Sequence, residues 1–492
     1  MVKALPVLHR RFAAEERYER SKRDGYTLLP FRFNRLDRER VVLTNLAGEH
    51  HVMAASALRE FTEHKLLPDS PLFHELESKH FLTPTGSTIA FDLLATKVRT
   101  KQNFLDSFTG LFMFVTTLRC DHSCPYCQVS RQSEDKSAFD MTPEMADRAI
   151  EFMFRSPSPA IKVEFQGGES LLNFDLIRYI VRRVEERNEI ECRDIQFVIA
   201  TNLSPLTDEH LAFCLEHGVL LSTSLDGPES LHNANRPKAS HDSHARAVDG
   251  IRRARAALGH DAVAALMTTT EASLTQPRAI VDEYVAMGFG SVFLRSISPY
   301  GFAKRTGWSS RYGTAEWLAF YKDALGYIIE LNHQGVRFRE EYTSLILRKM
   351  LTPWGTGYVD LQSPAGIGIS CLTFNYDGDI YASDESRMLA ETGDKTFRLG
   401  NLFTDTFDDV MGSPKLHRLL LETMVEATPV CCDCAYVPYC GTDPVFHHAT
   451  QGDPTGHRPS SAFCAKNMGV INHLVSLLED DPRAAEVLRE WA

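Results

Sequence analysis

The chain has 492 residues, a length that predicts two to four domains with ample material for a large core. Its hydrophobic fraction of 43% and charged fraction of 24% are ordinary for a globular protein, and its formal net charge is −12. No run of Lys or Arg stands out, which argues against a nucleic-acid partner because phosphate binding needs a concentrated basic face. The N-terminal residues lack the apolar stretch of a signal peptide, and no window approaches the length of a membrane span. We therefore expect a cytoplasmic protein with no membrane partner.

The first elements along the chain indicate a small α+β unit between residues 25 and 82. The segments "FRFNRL" and "RVVLTNLAGEHHVM" predict the two strands of a hairpin, with "AG" near its turn. Two helices are predicted in "AASALREFTEHKLL" and "PLFHELESKHFL". We predict an N-terminal α+β domain over residues 1–105, with a winged-helix-like pattern.

Residues 111 to 297 alternate regularly between apolar, β-rich runs and amphipathic helical stretches. Six strands separated by five helical segments predict parallel βα units, and their number indicates an α/β fold with an open, partial (β/α)6 barrel over residues 106–300. In β/α barrels the reactive groups gather at the carboxyl ends of the strands. The predicted strands are "LFMFVTT", "IKVEFQG", "DIQFVIAT", "VLLSTSL", "AVAALMTT" and "SVFLRSI".

The segments after the barrel divide into a helical part and a cysteine-rich part. Residues 301–365 are predicted to form a helical linker. "LTFNYDGDIYAS" then predicts a hairpin around Asp377-Gly378, because Asp-Gly is a strong turn signal. A group of cysteines and a helical tail follow. We predict a C-terminal domain over residues 366–492.

The cysteines are clustered. Three follow the first barrel strand in "RCDHSCPYC", a second group lies near the C-terminus, and Cys192, Cys214 and Cys371 stand alone. Disulfides are rare in a reducing cytosol, so the clusters indicate metal sites. The isolated cysteines receive no role, since free Cys is commonly a small buried apolar residue.

Cys120, Cys124 and Cys127 are one ligand short of a closed structural zinc site. His122 is an awkward fourth ligand because it lies inside the loop between two of the cysteines. A [4Fe–4S] cluster is held by thiolates, and three of them leave one iron with an open coordination position. That iron is then able to bind a substrate or cofactor.

The Cys-x3-Cys-x2-Cys spacing after the first barrel strand resembles the radical S-adenosylmethionine (SAM) superfamily. In that family the methionine amine and carboxylate of SAM chelate the open iron, and electron transfer yields a 5′-deoxyadenosyl radical. "FQGGES", "ATNLS" and "STSLDGPESLHNANRP" follow the second, third and fourth strands and resemble the family's SAM-binding segments. For one of these residues, Arg236, a surface position is the alternative. The resemblance implies SAM contacts from Tyr126, Gly167, Gly168, Glu169, Asn202, Ser224, Asp226 and Arg236.

The second cysteine group resembles the SPASM domain of peptide-modifying radical SAM enzymes, although a zinc ribbon is the alternative on spacing alone. That domain carries two auxiliary [4Fe–4S] clusters. One takes a Cys-x2-Cys-x5-Cys run and a later cysteine, and Cys432 is an alternative to Cys431 in the first position. The ligands implied for this auxiliary cluster are Cys431, Cys434, Cys440 and Cys464.

The ligands of the second auxiliary cluster are incomplete. Ser383 stands where the hairpin usually ends in Cys, and Pro444 stands where the last ligand is expected. The family pattern has two cysteines just ahead of the hairpin, and the segment "LQSPAGIGISC" contains only Cys371. We therefore expect one auxiliary cluster.

Several phrases together, among them "LPFRFNRL", "FLRSISPYGFAK", "YASDESRMLA" and "PYCGTDPV", resemble the B-type radical SAM maturases of His-Xaa-Ser peptide systems (HxsB-like). The resemblance implies a ribosomally made precursor peptide and a second radical SAM enzyme as partner. It also implies a reductant such as flavodoxin or ferredoxin. The N-terminal domain resembles the peptide recognition elements of such enzymes, and a packing domain is the alternative.

The expected chemistry is hydrogen abstraction from a peptide side chain, followed by a carbon–carbon or carbon–heteroatom cross-link. Asp384 and Glu385 are the candidate catalytic bases, with a solvated acidic turn as the alternative. Two rival functions remain open. One is formylglycine formation of the anaerobic sulfatase-maturase kind, and the other is a non-catalytic, metal-bound scaffold that binds peptide.

Overall fold

The computed structural model describes residues 25–106 and 109–492. Its two compact units meet in the chain between Thr100 and Lys101. The expectation about a signal peptide and the start of the predicted domain over 1–105 concern residues 1–24, which lie outside the described residues. Within the described part, no helix combines the length and apolar character that crossing a bilayer requires.

The N-terminal unit contains one more strand in its main sheet than the sequence predicts. Three antiparallel strands lie in the order β2-β3-β4, and β1 pairs separately with β5. The predicted long second strand is itself a hairpin, because Asn45 Oδ1 accepts hydrogen bonds from the amides of Ala47 and Glu49 and turns the chain at "AG". The elements are β1 (Tyr26–Leu28), β2 (Phe31–Arg35), β3 (Arg40–Asn45), β4 (His50–Ala54), α1 (Ala55–Thr62), α2 (Pro71–Ser78), β5 (Leu82–Pro84) and α3 (Ile89–Lys101).

One face of this small sheet packs on the predicted helices. Val41, Leu43 and Met53 are buried against Phe61 of α1 and Phe73 of α2. Strand β2 stays at an edge of the sheet, and the Phe33 side chain on it is half exposed. The unit therefore has its own apolar core, and β2 is an outer strand of its sheet.

The second unit contains the predicted parallel barrel strands in chain order. Each strand pairs in parallel with its predecessor, and the sixth predicted strand is divided into two short ones, of which the second joins the sheet. The α/β barrel fold is confirmed. The elements are β6 (Leu111–Thr117), α4 (Lys136–Phe139), α5 (Pro143–Met153), β7 (Ala160–Gly167), α6 (Phe174–Glu191), β8 (Asp194–Ala200), α7 (Asp208–His217), β9 (Leu220–Ser224), α8 (Glu229–Asn235), α9 (Ser243–Leu258), β10 (Val263–Thr269), α10 (Pro277–Ala286), β11 (Ser291–Val292) and β12 (Leu294–Ser296).

Local signals in the sequence explain where the barrel helices begin and end. Helix α5 begins at Pro143 after Thr142, whose hydroxyl accepts a hydrogen bond from the amide of Met145. Helix α7 ends at Gly218, which adopts the left-handed conformation. Strands β6 and β7 bury Phe114 and Phe165 in the main core. This packing holds the carboxyl ends of the strands at one edge, where the site lies.

The hairpin predicted around Asp377-Gly378 is present, and it extends the barrel sheet. Strand β14 pairs in parallel with β6, and β15 and β16 continue the same sheet antiparallel. The hairpin therefore carries the C-terminal residues directly beside the first barrel strand. The elements from the barrel to this point are α11 (Gly301–Arg305), α12 (Thr314–His333), β13 (Arg339–Glu340), α13 (Glu341–Leu351), β14 (Cys371–Phe374), β15 (Asp379–Tyr381), α14 (Asp384–Ala390) and β16 (Arg398–Asn401).

The last part of the chain is helical, and its long helix packs against the segment predicted as a linker. Helix α18 contacts α12, α13 and α19. The cysteine-rich segment lies between α16 and α18 in the sequence. The remaining elements are α15 (Phe407–Met411), α16 (Pro414–Glu422), α17 (Pro444–Gln451), α18 (Ala462–Asp480) and α19 (Pro482–Glu490).

Candidate functional site

The three-cysteine loop leaves the carboxyl end of β6, as predicted. The Cys127 amide donates to the Cys124 carbonyl oxygen at 3.2 Å. Burial raises the pKa of the Cys124 thiol to about 12, and the charges of Glu169, Cys124 and Cys127 add to the burial that raises the pKa of Cys120. The three sulfur atoms therefore lie within electrostatic range of one another. Such thiols become thiolates when a bound cation compensates their charge, so the donor set fits a metal cluster.

Gly167 and Gly168 are required because the backbone that leads into the cysteine loop passes very close to both residues. A Cβ at Gly167 would lie 1.9 Å from the Thr117 carbonyl oxygen, and one at Gly168 would lie 2.2 Å from that of Arg119. The Gly168 and Glu169 amides donate to those two carbonyl oxygens at 2.8 Å. The glycines thus join the end of β7 to the start of the cysteine loop. Their predicted contact with SAM stays a prediction.

Replacing Gly168 by Ala is expected to displace the cysteine loop, because the Arg119 carbonyl oxygen that the new Cβ would meet belongs to rigid backbone. We expect the purified variant to lose most of the iron that Cys120, Cys124 and Cys127 hold. The matched control is Gly290→Ala, since no atom lies within 4 Å of a Cβ at that position. Iron analysis of the two variants after identical anaerobic reconstitution measures the effect, and equal iron contents would contradict this account of the glycine.

Glu169 is fully buried and ties two strand ends together. Its carboxylate accepts hydrogen bonds from the Thr201 hydroxyl at 2.6 Å and from the amides of Asn202 at 2.7 Å and Leu171 at 3.0 Å. Burial raises the pKa of Glu169 to about 7 in spite of these bonds. Its observed partners are protein groups after β7 and β8, and its predicted role toward SAM stays a prediction.

Asp121 organises the residues inside the cysteine loop, a role that no sequence motif predicted. Its Oδ1 atom accepts hydrogen bonds from His122 Nδ1 at 2.8 Å and from Asn202 Nδ2 at 2.7 Å, and Lys238 forms an ion pair with it. Although burial opposes the effect, hydrogen bonds from His122 and Lys238 hold the pKa of Asp121 well below its usual range. His122 and Asn202 are therefore parts of one polar network behind the loop.

Asp226 and Arg236 form a buried ion pair beneath Tyr126. Arg236 Nε lies 3.1 Å from Asp226 Oδ2, and the Tyr126 hydroxyl donates to the same carboxylate at 2.5 Å. The Arg236 guanidinium offsets part of the effect of burial on the pKa of the Cys124 thiol, so its charge lies near the loop. The surface alternative for Arg236 is wrong, because only 15% of its side chain is exposed. Ser224 is the last residue of β9, two residues before Asp226 in the chain.

The structure brings four C-terminal cysteines together. Burial raises the pKa of the Cys464 thiol to about 12, and the nearby charges of Cys440, Cys431 and Cys434 add to that effect. Asn467 Nδ2 lies 3.5 Å from Cys440 Sγ. Cys432 Sγ instead lies 3.7 Å from the Asp433 carboxylate. This arrangement favours Cys431 over Cys432 as a ligand.

The residues that stand at the ligand positions of the second auxiliary cluster have structural roles of their own. Ser383 caps α14, where its hydroxyl accepts a hydrogen bond from the Ser386 amide. Pro444 begins α17. Cys371 is buried in β14, with its thiol 3.6 Å from the Ala382 carbonyl oxygen.

The two candidate bases have different partners. Asp384 lies 3.4 Å from the buried Arg387 guanidinium, and burial raises its pKa to about 6. Glu385 lies 3.4 Å from Arg295 and lines a cavity at the end of β12. An acidic turn in open solvent is therefore wrong for Asp384, which is 8% exposed.

Residues 114–270 match the model of the radical SAM superfamily. The chain contains a radical SAM domain. Cys120, Cys124 and Cys127 lie within it, and members of this superfamily use a [4Fe–4S] cluster and SAM. The matched segment begins in β6 and ends just after β10.

Two curated relatives align with this region. The radical SAM cyclopropyl synthase TigE of Paramaledivibacter caminithermalis is 24% identical over 132 residues, which cover 24% of this chain and 27% of that protein. The serine-type anaerobic sulfatase-maturating enzyme of Bacteroides thetaiotaomicron is 27% identical over 137 residues, which cover 27% of this chain and 33% of that protein. The alignments span less than half the length of the curated relatives that the chain matches.

Solved structures share the fold over a larger part of the chain. The anSMEcpe protein with bound AdoMet matches with a TM-score of 0.61 and 16% identity, covering 78% of this chain and all of that one (100%). SuiB of Streptococcus suis bound to its precursor peptide SuiA matches with a TM-score of 0.52 and 13% identity, covering 89% of this chain and 99% of that one. These similarities show the fold.

Proposed function

We propose that this protein is a radical SAM enzyme that removes hydrogen from a side chain of a ribosomally made peptide and forms a cross-link. The observation that carries the proposal is the convergence of Cys120, Cys124 and Cys127 at the carboxyl end of β6, inside the radical SAM domain. In this proposal they hold a [4Fe–4S] cluster. When bound, that cluster and SAM supply a 5′-deoxyadenosyl radical.

The residues around the loop hold it in place. Gly168 and Glu169 bind the backbone at its start, and Asp121 anchors its interior through Asn202 and Lys238. Arg236 places a fixed positive charge beside Cys124. That charge is compensated by Asp226, so the pair supports the loop without adding net charge to it.

Cys431, Cys434, Cys440 and Cys464 hold one auxiliary [4Fe–4S] cluster in this proposal. A cross-link removes two hydrogens from the peptide, one as an atom and one as a proton with an electron left over. The auxiliary cluster supplies an acceptor for that electron when bound. A reductant such as flavodoxin or ferredoxin is the partner that starts each turnover.

The peptide substrate is supported by the solved neighbours, since SuiB and anSMEcpe have both been seen with peptides. We propose a precursor with His-Xaa-Ser units, and a second radical SAM enzyme as partner. Strand β2 lies at an edge of its sheet, and we propose that a leader peptide adds a strand there. Unchanged leader affinity after deletion of residues 25–82 from a folded enzyme would rule out that role.

The second candidate is formylglycine formation from Ser or Cys, favoured by the alignment with the serine-type sulfatase-maturating enzyme. Anaerobic reaction with candidate precursor peptides, read by mass spectrometry, tests both. Cross-link formation and the oxidation of Ser to formylglycine each lower the peptide mass by about two units. Carbonyl-reactive labelling therefore decides between them. An unlabelled product that resists fragmentation across the repeat is expected, and a labelled product supports formylglycine. If His-Xaa-Ser peptides are untouched while SAM is cleaved, the substrate assignment fails.

A further inference from the structure

A charged cavity lies at the end of the last barrel strand. It has a volume of about 50 Å³ and includes Arg295, Ser296 and Ile297, which are at or just beyond the carboxyl end of β12. A larger space of about 230 Å³ adjoins it and shares Ser296, Ile297 and Trp317. Ile297 also packs against Tyr126, the residue before Cys127. The cavity is therefore next to the cysteine loop, on the reactive face of the barrel.

Five charged side chains line the smaller space. Asp360, Glu385 and Asp443 bring three carboxylates, and Arg295 and Lys466 bring two cations. With all five ionised, one negative charge is uncompensated. Burial, together with the charges of Asp443 and Glu385, raises the pKa of Asp360, and burial raises that of Asp443 to about 7. Burial is the main cause of both shifts, and the neighbouring carboxylates add to it.

Among the described residues, neither cation forms an ion pair with Asp360 or Asp443. Arg295 lies 3.4 Å from Glu385. Within the described part of the chain, Lys466 has no carboxylate within 4 Å; its ammonium lies 5.5 to 5.8 Å from the ring centres of Tyr342, Phe463 and Trp317. The Asp360 carboxylate likewise has no hydrogen-bond partner among the described residues. Asp360 is partly buried, so a carboxylate there without a partner costs free energy, and a cationic group in the cavity would lower that cost.

A separate feature also indicates a missing ligand. The Trp317 side chain lines both spaces, and its buried indole N–H has no hydrogen-bond partner among the described residues. It is a donor, so it needs an acceptor such as a peptide carbonyl oxygen. An amino-acid residue with a cationic side chain brings both an acceptor for Trp317 and a positive charge for the carboxylates. The combined space is below the roughly 300 Å³ of pockets for drug-sized ligands, which suits one side chain.

We propose that this cavity binds a positively charged side chain of the substrate peptide, with Asp360 and Asp443 as the groups that receive it. The inference rests on the proposed peptide substrate and specifies that one residue of that peptide carries a positive charge. Bound there, the side chain holds a neighbouring part of the peptide near the cysteine loop. Asp360 and Asp443 are thus specificity-determining residues.

Binding of labelled peptides tests the proposal independently of turnover. The probes are fluorescein-labelled Gly-Ser octapeptides with one central Lys or Arg, each paired with its neutral counterpart, norleucine or citrulline. Fluorescence anisotropy with the anaerobic holoenzyme, without reductant, is expected to show about tenfold tighter binding of at least one cationic probe than of its neutral counterpart. In Asp360→Asn that preference should fall to about twofold or less, with affinity for the neutral probe unchanged.

Two further variants make the result decisive. Asp443→Asn keeps the N-cap of α17, because Asn and Asp are similar caps, and should also reduce the preference. Asp408→Asn removes a carboxylate that is 76% exposed on the surface and should leave it unchanged. Equal binding of the charged and neutral probes by the wild-type protein, or no binding of any cationic probe, overturns the proposal. A preference that depends on Asp360 supports the cation-binding role of the cavity even if no peptide is ever modified. Failure of this proposal is therefore distinguishable from failure of the proposed function.

Discussion

Reductive cleavage of SAM is expected to disappear when Cys120, Cys124 and Cys127 are all replaced by Ala. The structure places these three thiols together at the carboxyl end of β6. Removing the thiolates removes the only ligands proposed for this cluster, so the effect should be complete. Chromatography of 5′-deoxyadenosine after reduction measures it, and the iron content should fall by about four per chain.

The matched control for this triple variant is Cys192→Ala, which removes an exposed cysteine at the end of α6. It should keep full iron content and full SAM cleavage. If the triple variant still produces 5′-deoxyadenosine at a comparable rate, the assignment of the three cysteines is wrong.

The second large effect concerns the C-terminal cysteines. Replacing Cys440 and Cys464 by Ala should lower the iron content of the reconstituted protein from about eight to about four per chain, since each [4Fe–4S] cluster holds four irons. The cysteine loop lies on a different element, so SAM cleavage should persist. The cross-linked peptide should not form, because the proposed electron acceptor is lost.

Single variants separate the two adjacent cysteines. Cys431→Ala should lose iron, whereas Cys432→Ala should not, because the thiol of Cys431 lies near those of Cys434 and Cys440. The reverse result would exchange the two residues in the ligand set. About twelve irons in the wild-type protein would instead require a third cluster and contradict the expectation of one auxiliary site.

The barrel and the position of its cysteine loop were predictable because both depend on local patterns. Apolar runs such as "LFMFVTT" are long enough to identify buried strands, and the carboxyl ends of parallel strands necessarily share one edge. The division of the last strand into β11 and β12 was missed, because "SVFLRSI" is continuous in its apolar pattern. The hairpin at Asp377-Gly378 was predicted, but its pairing with β6 was not, since register between distant strands leaves no local signal.

The polar groups of the site were only partly predictable. Residues such as Gly168 and Asp226 were implied by the resemblance to the family's motifs, and the partners that the structure shows for them are protein groups. Asp360, Asp443 and Lys466 belong to three separate segments and share no motif. Folding brings them together, and their significance lies in incomplete charge compensation, which requires coordinates to recognise.

Transfer of deuterium from a peptide to 5′-deoxyadenosine tests the central claim most directly. Candidate precursor peptides carrying deuterium on the side-chain carbons of the repeat would be incubated with reduced, reconstituted protein and SAM, and the nucleoside analysed by mass spectrometry. We predict 5′-deoxyadenosine that has gained one deuterium, in proportion to modified peptide. Protein that carries its clusters and binds SAM but forms no 5′-deoxyadenosine with any peptide would contradict the claim that this chain is a radical SAM enzyme.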